Sequence, residues 1–556
     1  MTWRETRKEF VYSTGASIAV AFAVVMGLMI ENPYQVSLRE IVRPLLILTG
    51  FAVVGTFFSG IIHRRLMPVF PAAMFAFFQY TGVHELIPHD RLDGAVAVAI
   101  LSLALIGLFI VLRRLKGLHA ARSVFLVSAA VAVGTGAAVA MQVFAEIFAA
   151  APPVINKAFA TRSLAAVTAT KASLDALPDI IYIVPDRYPN RATLRTEYGY
   201  DNSDFYRELR ARGFVLTEDA WANYPVTFVS LASTLNGGYL DVLRDVYGPN
   251  NADRRPVYWL IEHNIVQDRL RRLGYRYLHL GGWWGPTRMN RHADENYLGY
   301  PPRAPLLETL PEFEFALVHK TILPAIFYRI KSGGRGYECV RLKRQIQKMR
   351  SIGNEPRPVF AFVHMFIPHP PITMDADGTC LARPLYAEAG EDSEAGFIQY
   401  LRFFNAQILE IVDEQLRHRA TSGRKLIFVI QSDEGPHTKA MAHPDFDGFP
   451  TMSDGDLREK MGIINAILLP GTLKADLGSL RTPVNNWRVI FNAVFGAKLG
   501  ILPDEAFIFR DEQHVFDFQN ISQVLGFESS SGDKMTGRWM RGDQHEGSSG
   551  PSSADP

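Results

Sequence analysis

The chain has 556 residues, enough for two or three domains of ordinary size. It carries 58 Lys plus Arg against 56 Asp plus Glu, a net charge of +2 that excludes a global bias toward nucleic acid or anionic surfaces. The mean hydropathy of +0.03 averages two unlike parts: Ala, Val, Leu, Ile and Phe dominate up to about residue 150, and an ordinary soluble composition follows.

Five apolar runs in the first part approach the roughly 20 residues that a bilayer requires. They are Phe10–Ile30, Pro44–Ile62, Pro68–Ile87, Gly94–Leu112 and Val124–Ala151. The third is the weakest, because Pro68, Pro71, His84 and Glu85 intrude near its ends. Basic residues in the connections orient the spans. With the N-terminus inside, the inner segments carry Arg4, Arg7, Lys8, Arg64, Arg65, Arg113, Arg114, Lys116 and Arg122, and the outer ones only Arg39, Arg43 and Arg91. An odd number of spans then puts the rest of the chain outside; without the third run as a span it would face the cytoplasm. The expectation is a multi-pass protein of the plasma (inner) membrane with an extracytoplasmic domain, periplasmic or extracellular. Its divisions are a transmembrane domain of about five helices over 1–151, a linker over 152–177, a catalytic domain over 178–528 and a disordered tail over 529–556.

Beyond the linker, strand-length apolar runs alternate with helical patterns. Strands are expected at Ile180–Val184, Tyr275–Leu280, Val359–Phe366, Lys425–Ile430 and Gly462–Leu469. Helices are expected at Ser203–Arg212, Val257–Leu273, Phe397–His418 and Asn485–Val494. Near-continuous apolar strands between helices argue for an α/β domain with a mainly parallel central sheet covered on both faces. Such sheets bind ligands beyond the carboxyl ends of their strands. Two cysteines, Cys339 and Cys380, lie in this part and either form one disulfide or remain free thiols.

Chemistry-bearing residues cluster at those strand ends. Asp186 in IVPDRYPN follows a buried strand, as a metal ligand or a turn residue does. Thr227 in NYPVTFVSLASTLNGG opens a helix-like stretch, where a hydroxyl is either a cap or a nucleophile aimed at an anionic ester. LHLGGWWGPTRMN offers Trp283 and Trp284 to line a pocket and Arg288 to grip a phosphate, with aromatic packing and a surface arginine as the plainer reading. In FVHMFIPHPP, His364 reads by default as a buried structural histidine, and His369, between prolines past the strand, as a site residue. In QSDEGPH the adjacent carboxylates of Asp433 and Glu434 repel each other unless a cation or a proton lies between them, and His437 either joins the site or faces solvent.

The order of these motifs resembles the alkaline phosphatase and sulfatase superfamily: an early Asp after a strand, a Thr at a helix start, a HxxxxH segment, and a late strand ending in Asp-x-Gly. Apolar spans ahead of such a domain resemble its membrane-anchored branch, the lipoteichoic acid synthases and phosphoethanolamine transferases. The resemblance runs from about Pro178 to Phe495 and includes YGYDNSDFYRELRARGF, NYPVTFVSLASTLN and TPVNNWRVIFNAVFG. It implies a sulfatase-like fold, with Asp186, Asp433 and Glu434 as ligands of one divalent metal ion. Thr227 would be a further ligand and the nucleophile that becomes phosphothreonine, and His369 would contact the substrate phosphate. Trp284, Arg288, His364 and His437 complete the candidate substrate side. Glu434 departs from the family, which places His there in an Asp-His-Gly motif. Among Mn, Mg, Ca and Zn, an all-oxygen site favours Mn or Mg. The sulfatase signature C/S-x-P/A-x-R is also lacking, since Thr227 stands at the modified position and Leu231 where the arginine would be.

The function expected is headgroup transfer from a phospholipid to an envelope glycan or lipid, by a membrane-embedded enzyme. A hydrolase (phosphodiesterase or phosphatase) would use the same residues with water as acceptor. A noncatalytic envelope-assembly scaffold with a degenerate metal site is the alternative from another class. Neither the headgroup nor the oligomeric state is legible.

Overall fold

A computed structural model describes residues 3–32, 35–36, 38–86, 93–114, 117–148, 177–304, 309–323, 337–355, 358–385, 391–443, 445–471, 477 and 480–527. The expected linker, apart from Leu177, and the expected tail lie outside the described residues.

The second part is built on a seven-stranded sheet with the order β2, β9, β8, β1, β5, β3, β4. Its strands are β1 (Asp179–Pro185), β2 (Val215–Leu216), β3 (Arg276–Leu280), β4 (Glu295–Tyr297), β5 (Val359–Met365), β8 (Leu426–Gln431) and β9 (Asn465–Leu468). β1 runs parallel to β5 and β8, and β3 runs parallel to β4 and β5. Only β9 is reversed, antiparallel to both β8 and β2. The sheet is thus mixed but mostly parallel, and the short strand β9 within the expected run Gly462–Leu469 is the exception. Two antiparallel pairs stand apart, β6 (Ile372–Met374) with β7 (Cys380–Leu385) and β10 (Phe507–Phe509) with β11 (Phe518–Asn520).

Both faces of the sheet are covered, which explains why its strands read as unbroken apolar runs. Along β1, Ile180, Tyr182 and Val184 join one core with Val229, Leu231, Trp487 and Ile490. Ile181 and Ile183 point the other way, into a core with Leu342, Ile346, Ile408 and Val412. Helices form at Ser203–Ala211, Glu391–Ser422 and Asn486–Phe495, each overlapping an expected one. The expected helix over Val257–Leu273 is instead two, Arg255–Glu262 and Ile265–Arg272. Asn264 causes the break: its backbone is extended and its side chain accepts a hydrogen bond from Gln267 N at 2.9 Å, capping the second helix. Cys339 and Cys380 form a disulfide with Cα atoms 5.8 Å apart, tying the first turn of the helix Glu338–Arg350 to β7.

Among the described residues of the first part, three helices are long and apolar enough to cross a membrane: Trp3–Glu31, Arg39–Ile62 and Leu118–Met141. A shorter apolar helix covers Val96–Leu112. The third expected run is divided between helices Phe70–Phe78 and Tyr80–Glu85, which meet at Gln79. The expected count of five spans is not confirmed among the described residues. Trp3–Glu31 is central, with Ala16, Ala21, Val25 and Met29 buried, while Leu46, Phe58 and Val133 of its neighbours stay exposed as lipid-facing residues do. Ser17 and Thr56 hydroxyls bridge two of these helices at 2.9 Å.

One element joins the two parts. The helix Glu312–His319 turns Phe313 and Leu317 into the cluster formed by Leu28, Met29, Val36 and Ile41. Arg43 pairs with Glu314 at 3.4 Å and Lys320 with Glu31 at 2.7 Å.

Candidate metal centre and active site

Three adjacent parallel strands, β8, β1 and β5, end side by side, and each delivers one buried ionisable side chain there. Asp186 follows β1, and its N–H donates to Met365 O of β5 at 2.9 Å. The next residue, Arg187, adopts a positive φ of 63°, a conformation uncommon outside glycine that turns the chain sharply away from the sheet. Asp433 follows β8, anchored by the Ser432 N–H donating to Ile464 O at 3.0 Å. His364 lies within β5, opposite Val184 in the register with β1.

Asp186, His364 and Asp433 each offer a ligand atom, and these atoms all lie within 4.8 Å of one another. His364 Nε2 is 3.6 Å from Asp186 Oδ2. Nε2 of His364 and both oxygens of Asp433 are buried without a hydrogen bond of standard geometry. Buried polar atoms left in this state are costly, and a cation among them would satisfy all three. Burial pushes the Asp433 carboxyl up to about 8, and the Asp186 and Glu434 charges add to the rise, while His364 and the nearby Thr227 hydroxyl oppose it. Burial also holds His364 down to about 4, so its imidazole is neutral and able to coordinate. Two carboxylates and a neutral imidazole form a donor set that fits a divalent ion.

Thr227 begins the helix Thr227–Asn236 after Val226, whose extended backbone marks the cap position. Valine has no side-chain oxygen to cap the first N–H groups, which leaves this end of the helix suited to an anion. The Thr227 hydroxyl stands near Asp433, and Thr227 itself is half-buried, within reach of solvent.

Glu434 differs from expectation. Its Oε1 accepts from Arg187 Nε and its Oε2 from the fully buried Lys460 Nζ, each at 3.0 Å. Both oxygens are engaged by cations, and His364 takes the third place in the group instead. Gly435 is needed for this turn: a Cβ there would meet Lys460 O at 2.5 Å.

The other candidates surround the group unevenly. His369 lies beside an aromatic stack in which Trp283 and Phe366 are 4.8 Å apart, its ring 5.9 Å from Phe366 and 6.2 Å from Trp283. Phe366 in turn is 4.7 Å from His364. Trp284 is 6.1 Å from the His364 ring on another side. Arg288 turns its guanidinium to the backbone, with Nη2 donating to Thr309 O at 2.7 Å. His437 is half-buried in the turn beyond Gly435, outside the three-residue group. Sequence reasoning missed Arg187 and Lys460 as partners of Glu434, and it missed the closeness of His364 to both acids. That closeness depends on the register of β5 against β1, which no local motif records.

No protein-family model matches the chain, and no curated protein matches it. Solved structures do. The C-terminal periplasmic domain of EcEptC from Escherichia coli is 11% identical, with a TM-score of 0.36 over 61% of this chain and 91% of that one. The integral membrane lipooligosaccharide phosphoethanolamine transferase A from Neisseria meningitidis is 12% identical, with a TM-score of 0.35 over 88% of this chain and 95% of that one. The periplasmic domain of phosphoethanolamine transferase EptC from Campylobacter jejuni is 11% identical, with a TM-score of 0.34 over 57% of this chain and 89% of that one. Identities and TM-scores this low assign none of these proteins' activities to this chain.

Proposed function

We propose that the protein is a membrane-tethered, metal-dependent phosphoryl-group transferase that uses Thr227 as its nucleophile. The observation that carries this reading is the Thr227 hydroxyl standing beside Asp433 at an uncapped helix start, where Asp433 is itself grouped with Asp186 and His364. A divalent ion held by these residues would lower the pKa of the hydroxyl and offset negative charge on the phosphoryl oxygens. Because His364 contributes a nitrogen, zinc joins manganese as a fitting ion, in place of the preference for Mn or Mg that an all-oxygen site would give.

In this reading the phosphodiester enters with its anionic group at the helix start. Thr227 Oγ1 gives up its proton to solvent as it attacks phosphorus, the bond to the lipid alcohol breaks, and that oxygen takes up a proton from water, with the half-buried His369 as the candidate side-chain donor. A glycan or lipid hydroxyl then attacks the phosphothreonine and releases Thr227. Water as acceptor would make the same site a hydrolase. The disulfide between Cys339 and Cys380 supports an extracytoplasmic domain.

The test is intact-mass analysis of the full chain after incubation with phospholipid and manganese or zinc. A phosphate-containing adduct is expected on Thr227, and none on the Thr227→Ala variant, whose thermal unfolding should match the parent chain. Full turnover by Thr227→Ala would reject the nucleophile, and a purified chain that binds no divalent ion would favour the scaffold instead. Product analysis with and without an added glycan separates transferase from hydrolase.

A further inference from the structure

We propose that Thr287 is a positioning residue for the metal centre, holding His364 in the ring orientation and tautomer that leave Nε2 free for a cation. The proposal rests on the reading of Asp186, His364 and Asp433 as that centre.

Thr287 lies in the short helical turn Gly285–Arg288 that follows β3, and its side chain is fully buried. Its Oγ1 is 2.7 Å from His364 Nδ1, the ring nitrogen opposite the one that faces Asp186. Histidines that bind metals through one nitrogen commonly donate from the other, which fixes both tautomer and ring plane. Here the acceptor would be a threonine hydroxyl.

A second hydrogen-bond chain fixes Thr287 itself. Its backbone carbonyl can only accept, so His279 Nε2, 2.7 Å away, must carry a proton. Burial keeps His279 neutral, with its pKa down at about 4. His279 Nδ1 is therefore bare and accepts from the Tyr277 hydroxyl at 2.9 Å. Every proton from Tyr277 through His279 to the Thr287 carbonyl is thus determined. The Thr287 hydroxyl, by contrast, can either donate to His364 Nδ1 or accept from it. With the centre loaded it must accept, because a proton on Nε2 would block coordination.

Backbone packing enforces the same placement. A Cβ on Gly281 would lie 2.3 Å from Thr287 O and 2.2 Å from Arg288 O, so the turn folds back onto the end of β3 only because residue 281 is glycine. The helix Glu338–Arg350 braces it from beyond: Gln345 Nε2 lies 3.1 Å from both Leu280 O and His364 O. The ends of β3 and β5 are thereby held at the separation the Thr287 contact needs.

The test compares the full-length protein with Thr287→Val, which keeps the shape and loses the hydroxyl, and Thr287→Ser, which keeps the hydroxyl. Zinc affinity is measured by competition with a chelator, and the visible spectrum of the cobalt-loaded protein is recorded, neither of which depends on turnover. Thr287→Val should lose about 10- to 100-fold in affinity and alter the cobalt bands. Thr287→Ser should restore both, with metal-free melting temperatures alike in all three. Stoichiometric zinc binding by the parent chain with unchanged affinity in Thr287→Val would overturn the positioning role and leave the centre standing. A parent chain that binds neither zinc nor cobalt would overturn the centre and the proposal together. If both variants lost affinity in step with a fall in metal-free melting temperature, Thr287 would be a packing residue only. Should the valine variant fail to fold, Thr287→Ala carries the same comparison without added bulk.

Discussion

At the scale of single residues, the site is a place where like charges and unsatisfied atoms are held together. Asp433 shows this most plainly, because burial and the neighbouring Asp186 push its carboxyl up to about 8, against an ordinary value of 3.8. A carboxyl raised in this way favours the folded state fully below its unfolded pKa, and that contribution is lost as pH rises through 8. The metal-free protein should therefore lose stability between about pH 4 and pH 8 on account of this group. Asp433→Asn removes the charge, so in chelator its melting temperature should exceed the parent's at pH 8, with the difference vanishing near pH 4. Adding zinc or manganese should reverse the order at pH 8, since only the parent keeps the full ligand set. A melting temperature of Asp433→Asn below the parent's at pH 8 without metal would contradict the strained-acid picture. The acids at positions 186 and 433 were legible in the sequence because a carboxylate straight after a buried strand demands a partner. The roles of Glu434 and His364 were not. Glu434 finds its partners in Arg187 and in Lys460, 26 residues further along the chain. His364 looks like core in its own strand, and only the parallel register of β5 beside β1 brings it level with the acids.

At the scale of elements, strands were easier to read than helix boundaries. Apolar runs flanked by Pro, Gly and acids locate β1, β3, β5 and β8 to within a residue or two, because burial on both faces leaves little freedom in composition. The helical pattern over Val257–Leu273 continues smoothly past Asn264, yet the asparagine cap splits it, a local hydrogen bond winning over periodicity. The disulfide matters most at this scale. It joins the first turn of the helix Glu338–Arg350 to β7, and from that helix Gln345 and Arg341 reach Gly281 O at 3.3 and 3.1 Å. Cross-linking positions 41 residues apart restricts the unfolded chain, by about 3–4 kcal/mol on the chain-entropy account. Replacing both cysteines with serine should lower the unfolding free energy of the second part by about that amount in denaturant titration. Metal affinity should fall as well, since the loosened helix carries the brace behind His364. A double variant with unchanged stability and affinity would show that the helix is held by packing alone.

At the scale of the whole molecule, the question is how an apolar helical part serves a site built on a distant sheet. Composition alone divides the two parts, but mean hydropathy does not register the interruption at Gln79 within the third expected span. Nor does composition reveal the helix Glu312–His319, whose short pattern hides in a region of mixed polarity. This helix meets the membrane helices through Phe313, Leu317 and the pair of Glu314 with Arg43. At its start, Glu312 Oε2 accepts from Gly285 N at 2.9 Å, the first residue of the turn that presents Thr287. Aromatic contacts run alongside, from Trp284 near His364 to Tyr258 at 6.0 Å. Burial pushes the Tyr258 hydroxyl up to about 12, with Arg254 opposing and the carboxylates of Glu312 and Glu40 adding to the rise; Glu40 lies in the first turn of a membrane helix. In the proposed reading, packing of the helix Glu312–His319 on the apolar helices would set where the site sits relative to lipid headgroups, while Asp186, His364 and Asp433 hang from the sheet. Leu317→Glu places a charge in that packed contact and should shift the site relative to the bilayer without touching Asp186, His364 or Asp433. Because small misplacements of a substrate are costly, kcat/KM for a phospholipid in bilayers should drop about 10- to 100-fold. In the same preparation, kcat/KM for a short water-soluble phosphodiester should hold near the parent value, since that substrate reaches the ligands from solution. Equal losses on both substrates would mean that the helix supports the fold of the site itself, and no loss on either would mean that the membrane contact is passive.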